Sequence, residues 1–369
     1  MIKLEHVTKV YKKSEGPAVA DLNLHIGKGE VCVLVGPSGC GKTTTMKMIN
    51  RLIEPTSGTI FVDGQNIMDV NPIELRRNIG YVIQEIGLFP HMTIAENIAT
   101  VPLEKKWPRD KIRARVDELL QLVGLDPNIY RQRKPRDLSG GQRQRVGVAR
   151  AMAADPPVLL MDEPFGALDP INRGKLQNEF LRIQKKIQKT IVFVTHDIDE
   201  AIKMGTKIAI MRQGKLVQYD TPENILNAPA SNFVINLIGG NRTIKQLNLI
   251  RVGEMMKEAP PVVELSAPTV KARELLAARG KDLLFAVEKD GRLAGYLSPQ
   301  NAREEGQVAD VMQEIPNSIT PDATLNDALS EMLAFGKGFV CVVDEGGKPV
   351  GLVTLGTLMK AVGGNDNNS

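Results

Sequence analysis

Residues 30–53 read EVCVLVGPSGCGKTTTMKMINRLI, and this stretch restricts the fold more tightly than any other in the chain. Val31 to Val35 form an unbroken apolar run. A strand with no polar face is covered on both sides, which is the habit of parallel sheets. The run feeds straight into GPSGCGKT, and helix-forming residues come next. Strand, glycine loop, helix is the context in which this spacing binds phosphate. Gly36, Gly39 and Gly41 let the main chain curl round an anion, and the helix N-terminus adds a favourable dipole. Ser38, Cys40 and Thr44 complete the loop. Lys42 is placed to reach the β- and γ-phosphates and Thr43 to hold Mg²⁺. ATP with Mg²⁺ is therefore an expected ligand. Cys40, at a helix N-terminus, is expected to be a reactive thiol.

The alternation continues around that unit. Residues 2–26 read as paired strands, with Ile2, Leu4, Leu22, Leu24 and Ile26 at period two. GTIFVDG (58–64) reads as an edge strand and IGYVIQ (79–84) as a short one. PVLLMDEP (157–164) and TIVFVTHD (190–197) are further buried strands, with a helix through RGKLQNEFLRIQKKI between them. This is α/β architecture, a parallel sheet covered by helices. From about Thr93 to Ala154 the pattern turns helical, with Val116, Leu119, Leu120 and Val123 on one face. That stretch reads as an inserted helical subdomain, about 93–154. KIAIMRQGKLVQYD (207–220) reads as a hairpin turning at Gln213-Gly214. Thr221 and Pro222 then open a helix.

Composition removes other classes. A net charge of +4 permits anionic ligands without calling for nucleic acid. Three cysteines without a CxxC pair fit a reducing compartment. The N-terminus alternates and carries charge, so it reads as a strand, not a signal peptide. No apolar run approaches the ~18 residues of a membrane span, so a membrane role needs a partner.

Polar residues at strand ends carry the chemistry. Four apolar residues deliver Asp162 and Glu163 to the end of one buried strand. Two adjacent carboxylates there call for a cation. Asp162 suits the Mg²⁺ water shell and Glu163 an attacking water. His196 and Gln84 end other strands at the same expected edge, where ligands bind in open α/β sheets. LSGGQ (138–142) is a second glycine-rich anion reader, with Ser139, Gly140, Gly141 and Gln142.

With ALD (167–169) added, this set resembles the ATP-binding subunits of ABC transporters over residues 1–238. The resemblance implies a P-loop NTPase core and a head-to-tail homodimer. Each ATP would lie between the P-loop of one subunit and the LSGGQ of the other. It assigns Tyr11 to adenine stacking, and Gln84 with Thr43 and Asp162 to the metal. Glu163, His196, Gln84 and Lys42 take catalytic roles. Ser139, Gly140, Gly141, Gln142 and Asp169 contact the nucleotide of the opposite subunit. QEIGLFPHMTIAENIA (84–99) resembles the part of importer ATPases that meets the permease, with Phe89 at the contact.

After a linker at 239–251, an internal repeat appears with an offset of 56 residues: VGEMM (252–256) matches VADVM (308–312), and GYLS (295–298) matches GLVT (351–354). Repeats at 252–306 and 307–362 resemble a tandem CBS (α+β) module, and 363–369 reads as a flexible tail. Such pairs sense adenine nucleotides, often with an Asp three residues after the Ser/Thr that follows the last strand. Here Asn301 and Thr357 hold that position, which favours a cyclic dinucleotide over AMP.

An importer ATPase with this tail resembles the quaternary-amine osmoprotectant uptake family. That implies permease subunits, an extracytoplasmic solute-binding protein, a place on the cytoplasmic face of a bacterial membrane, and no nucleic acid. A soluble ABC ATPase acting on ribosomes or DNA, an importer ATPase for another small solute, and a CBS-regulated metabolic enzyme are the competing readings.

Overall fold

The computed structural model describes the chain except residues 13–15, 84–86, 167–169, 241, 280–282, 304, 316 and 364–369. The chain divides into two compact units, Met1–Gly240 and Asn241–Ser369.

The first unit opens with an antiparallel pair, β1 (Ile2–Lys9) and β2 (Val19–Ile26), as the period-two pattern requires. β3 (Val31–Val35) is buried at every residue. It leads into helix α1 (Lys42–Ile49), then β4 (Ser57–Val62) and the two-residue β5 (Gln65–Asn66). The expected edge position of the 58–64 strand is corrected here. β4 lies between β1 and β5, because the Asp63-Gly64 turn folds the chain back onto it. Helix α2 (Pro72–Arg77) and strand β6 (Ile79–Val82) continue the chain.

Next come helices α3 (Ile94–Glu104), α4 (Arg109–Leu122), α5 (Pro127–Tyr130) and α6 (Gly140–Met152). The buried residues of α4 are Ile112, Val116, Leu119 and Leu120, the apolar stripe read from the sequence. The sheet resumes with β7 (Val158–Asp162), α7 (Pro170–Ile187), β8 (Thr190–Thr195) and α8 (Ile198–Met204). β9 (Lys207–Arg212) and β10 (Lys215–Asp220) form the hairpin, with Gln213 and Gly214 both at positive φ as its turn demands. Helices α9 (Pro222–Asn227) and α10 (Asn232–Ile238) close the unit, and Thr221 caps α9 through its hydroxyl.

The main sheet runs β10-β9-β3-β8-β7-β6. β9, β3, β8, β7 and β6 are mutually parallel, and β10 is antiparallel at one edge. Parallel register brings the strand ends level: Val35 pairs with Thr195, and Asp162 with Val194. The residues that leave these strands are Gly36, His196 and Glu163, and they emerge together at one edge. The core below holds Leu34, Val192 and Met46 against Ile2, Leu24 and Ile60 of the antiparallel sheet.

The second unit begins with α11 (Arg242–Gln246), α12 (Val252–Met255), β11 (Lys257–Glu258), β12 (Val262–Glu264), α13 (Thr269–Arg279), β13 (Leu284–Val287) and β14 (Leu293–Leu297). It continues with α14 (Val308–Val311), β15 (Gln313–Glu314), β16 (Ser318–Ile319), α15 (Leu325–Phe335), β17 (Phe339–Val343), β18 (Pro349–Thr354) and α16 (Leu355–Gly363). The two sheets run β12-β13-β14-β15 and β11-β18-β17-β16. The 252–306 and 307–362 boundaries therefore mark sequence repeats and not folded halves. β15 of the second repeat pairs with β14 of the first, and β11 of the first pairs with β18 of the second. Apolar packing enforces the exchange: Val308 and Val311 lie in the core of the first half, and Val252 in that of the second.

Candidate functional site

The glycine loop is held by close backbone packing. A Cβ on Gly36 would lie 2.2 Å from the Met211 carbonyl oxygen, and one on Gly41 would lie 2.4 Å from that of Ala18. Both glycines also have positive φ, 152° and 103°, so no other residue fits. The Thr45 hydroxyl donates to the Gly41 carbonyl at 2.9 Å and ties the loop to α1. Ser38 and Gly39 are exposed at the loop's crest, and Thr43 and Thr44 are half-buried. The buried Lys42 ammonium donates to the carbonyls of Gly36 at 2.7 Å and Pro37 at 3.0 Å. It thus points into its own loop and can exchange those oxygens for phosphate oxygens. Cys40 does not present an open thiol: it is 4% exposed, with the Lys42 ammonium 3.7 Å from its sulfur.

The Thr43 hydroxyl donates to Asp162 Oδ1 at 3.2 Å, so the two residues expected at Mg²⁺ do converge. Burial pushes the Asp162 carboxyl up, and the Glu163 charge adds to it; the Thr43 hydrogen bond, Lys47 and Lys42 oppose. A buried acid disfavoured as an anion, beside a hydroxyl and a phosphate loop, fits a hard divalent cation with oxygen ligands. Tyr81 on β6 is pushed up to about 12 by burial and by Asp162.

Glu163 adopts φ 43°, left-handed backbone that costs a side-chain-bearing residue about 1–3 kcal/mol. Its N–H donates to the Val194 carbonyl at 3.0 Å, and its carbonyl accepts from Gly166 at 3.1 Å. These bonds hold the carboxylate at the sheet edge, where His196 Nδ1 lies 3.4 Å from Glu163 Oε2. Behind His196 lies a group the motifs do not announce. Glu200 on α8 accepts from the Thr195 hydroxyl at 2.6 Å and from Gln177 on α7 at 3.2 Å. Only its place four residues after His196 could have flagged it.

LSGGQ forms the start of α6. The Ser139 hydroxyl accepts from the Gln142 N–H at 3.3 Å, and Gln142 Oε1 accepts from the Ser139 N–H at 2.9 Å, a reciprocal capping box. Gln142 also donates to the Tyr130 hydroxyl at 3.0 Å. Tyr11 lies beyond the end of β1, 43% exposed, with the Lys9 ammonium 5.4 Å from its ring centroid. Gln84 and Asp169 lie outside the described residues.

A separate groove of about 340 Å³ is lined by Phe89, Gly87, Tyr81, Thr100, Val101 and Arg77, among others. Asn97 fixes Phe89 from both sides: its Oδ1 accepts from the Phe89 N–H at 2.8 Å, and its Nδ2 donates to the Phe89 carbonyl at 3.1 Å. Phe89 is left 41% exposed.

Residues 19–166 match the family described as ABC transporter, and residues 308–364 match the CBS domain. The glycine betaine/carnitine/choline transport ATP-binding protein OpuCA of Bacillus subtilis (strain 168) is 49% identical over 367 residues, 98% of this chain and 96% of that one. The chain belongs to the ABC transporter ATP-binding family. The osmoprotectant import ATP-binding protein OsmV of Salmonella typhimurium is 45% identical over 353 residues, covering 94% of this chain and 92% of its own. Among solved structures, the ATP-binding cassette MJ0796, a dimer bound to ADP and Pi in a post-hydrolysis state, superposes with a TM-score of 0.54 at 36% identity. It covers 60% of this ATPase and 99% of that chain. cbiO1 of Clostridium perfringens, part of the transporter complex cbiONQ, gives a TM-score of 0.58 at 28% identity, over 67% and 94% of the two chains. Among the described residues, no helix of this ATPase is long and apolar enough to cross a membrane.

Proposed function

We propose that this ABC ATPase hydrolyses ATP to power uptake of a quaternary-amine osmoprotectant, such as glycine betaine, carnitine or choline, through separate permease subunits. The observation that carries the reading is likeness over nearly the whole chain, tail unit included, to OpuCA. A cassette alone would leave the cargo open; cassette and tail together narrow it.

The geometry supports residue roles. Lys42 and the loop N–H groups bind the phosphates. Thr43 and Asp162 would hold Mg²⁺, which neutralises phosphate charge when bound. Glu163 polarises the attacking water, and His196, 3.4 Å away, steadies its carboxylate. In a head-to-tail homodimer, Ser139 to Gln142 of one copy cover the nucleotide on the Lys42 loop of the other. Hydrolysis then waits on closure. Tyr11, Gln84 and Asp169 keep their expected roles as part of the same proposal.

The Phe89 groove is the surface offered to the permease, which would place the ATPase on the cytoplasmic face of the membrane. An extracytoplasmic binding protein would deliver the solute. A cyclic dinucleotide between the tail units of two copies remains part of the proposal, because such a two-fold ligand suits two paired modules.

The test is reconstitution with the permease in proteoliposomes. Uptake of glycine betaine that depends on ATP, and ATP turnover stimulated by the solute, are expected. An ATPase that never co-purifies with a permease, and whose turnover ignores the solute, would overturn the reading.

A further inference from the structure

The second unit contains four aromatic residues, Phe285, Tyr296, Phe335 and Phe339. Three of them, Tyr296, Phe335 and Phe339, line one cleft, and Phe285 is fully buried in the cluster that includes Tyr296. Phe285, Tyr296 and Cys341 form a small buried cluster with Phe339 packed on it. The cleft above is lined by Tyr296, Phe335, Phe339, Lys337, Glu331 and Asn317, among others. Pseudo-symmetry supplies an internal control. Fifty-six positions away, Tyr296, Phe335, Phe339 and Glu331 correspond to Leu352, Arg279, Leu283 and Leu275. The equivalent positions of the other repeat therefore carry neither the rings nor the acid, so the fold itself does not require them.

The rings of Tyr296 and Phe339 stand at 82° with centroids 5.2 Å apart, which makes a right-angled aromatic corner. Phe335 stands at the mouth, 39% exposed. A cation is already at the corner: the Lys337 ammonium lies 5.6 Å from the Tyr296 centroid and donates to its hydroxyl at 3.0 Å. That hydroxyl in turn donates to Gln313. The Glu331 carboxylate accepts from Asn317 at 2.9 Å. As it stands the cleft has a volume of about 20 Å³, room for one water. Lys337 is exposed, so its ammonium can leave Tyr296 for water when another cation competes for the ring.

We infer that this cleft is a receptor for a small zwitterion bearing a trimethylammonium group. Ring faces attract a cation that has no N–H to donate. Glu331 adds the opposite charge, and Lys337, once displaced, meets the carboxylate end. A phosphate-bearing ligand would instead face Glu331. Asn301 and Thr357 are also committed within their own turns, to Ser298 at 2.5 Å and Thr354 at 3.1 Å. The solute that accumulates in the cell would thus slow its own import. The identity of the solute rests on the proposed cargo; the cleft chemistry does not.

The full-length protein is titrated with glycine betaine and with glycine, monitored by ligand-observed NMR. Saturable binding of glycine betaine is expected, about tenfold or more tighter than glycine. Phe335→Leu and Glu331→Gln should each weaken it about threefold or more. Should Phe335→Leu unfold the unit, the isosteric Glu331→Gln carries the same test. In proteoliposomes loaded with glycine betaine, uptake should slow at least about twofold for wild type and not for Glu331→Gln. Equal affinity for glycine, no saturable binding, or displacement by micromolar AMP would overturn the inference. Uptake without binding removes the cleft alone; binding without uptake removes the proposed cargo and leaves the cleft.

Discussion

Replacing Glu163→Gln keeps the side chain's length and shape but removes its charge. Glu163 is held by backbone bonds at 3.0 and 3.1 Å, neither of which involves the carboxylate, and a Gln side chain can keep an oxygen toward His196, 3.4 Å from Oε2. Nucleotide affinity should therefore stay within about threefold of wild type, because Lys42 and the glycine loop are untouched. Turnover should fall by about 10²–10⁴, the range for loss of a positioned base, or about 2.7–5.4 kcal/mol of barrier. A companion change separates chemistry from folding. Glu163→Gly relieves about 1–3 kcal/mol of left-handed strain and loses about 0.5–1 kcal/mol to chain entropy, for a net gain of about 1 kcal/mol. That raises melting by about 2–4 °C while turnover still collapses. Phosphate release at saturating Mg-ATP, equilibrium nucleotide binding, gel filtration for an ATP-locked dimer, and thermal melting read the four quantities. Turnover of Glu163→Gln within threefold of wild type, or a lower melting point for Glu163→Gly, would refute the reasoning.

Ser139→Arg should abolish hydrolysis in a pure population; mixed with Lys42→Ala, it should recover measurable turnover, since one of the two mixed sites pairs an intact loop with an intact LSGGQ. No recovery at any ratio counts against a composite site. Cys40, at 4% exposure, should alkylate slowly and block ATP binding as it does, with bound ATP protecting it; equal sensitivity in Cys40→Ala would place the reactive thiol elsewhere. Asp162 is pushed up in the folded state, chiefly by burial, so the folded protein holds its proton more tightly and gains stability below about pH 4 that is lost as pH rises through the raised value. Thermal melting of Asp162→Asn relative to wild type, without Mg²⁺ or nucleotide, should improve as pH rises above about 4 and level off once pH passes the raised value; a constant gap would rule out the buried charge as its cause.

Local pattern made most of the cassette readable. The apolar runs at Val31–Val35, Val158–Asp162 and Thr190–Thr195 are buried throughout, and the residues that leave them meet at one edge because parallel register aligns their ends. Register itself was not legible: nothing in GTIFVDG says that Gln65 and Asn66 will fold back on it. Glu200 was missed for a related reason, since its partners Thr195 and Gln177 come from two other elements and share no spacing with it. The repeat was plain at 56 residues, but sequence similarity cannot say which half a lead-in helix packs against. Val308 settles that by entering the opposite core. The depth of Cys40, 4% exposed, was not legible either, because helix position shows in the sequence and burial does not.

The two anion-reading loops differ in why they contain glycine. Gly36 and Gly41 are forced by the fold, with carbonyl oxygens 2.2 and 2.4 Å from any Cβ. Gly140 is not: a Cβ there meets no heavy atom within 4 Å, its φ is not in the left-handed region, and it opens a 13-residue helix in which alanine is the better former. Within one subunit, Gly140→Ala should cost nothing and add about 0.5–1 kcal/mol of stability. A glycine that its own fold does not need points to something that approaches from outside, and in the proposed homodimer that is the nucleotide held by the other copy. Gly140→Ala should therefore melt at or above the wild-type temperature, bind ATP normally as a monomer, and lose about tenfold or more in turnover together with ATP-dependent dimerisation. Wild-type turnover with raised stability would make Gly140 a neutral position and leave the capping box as all that LSGGQ does.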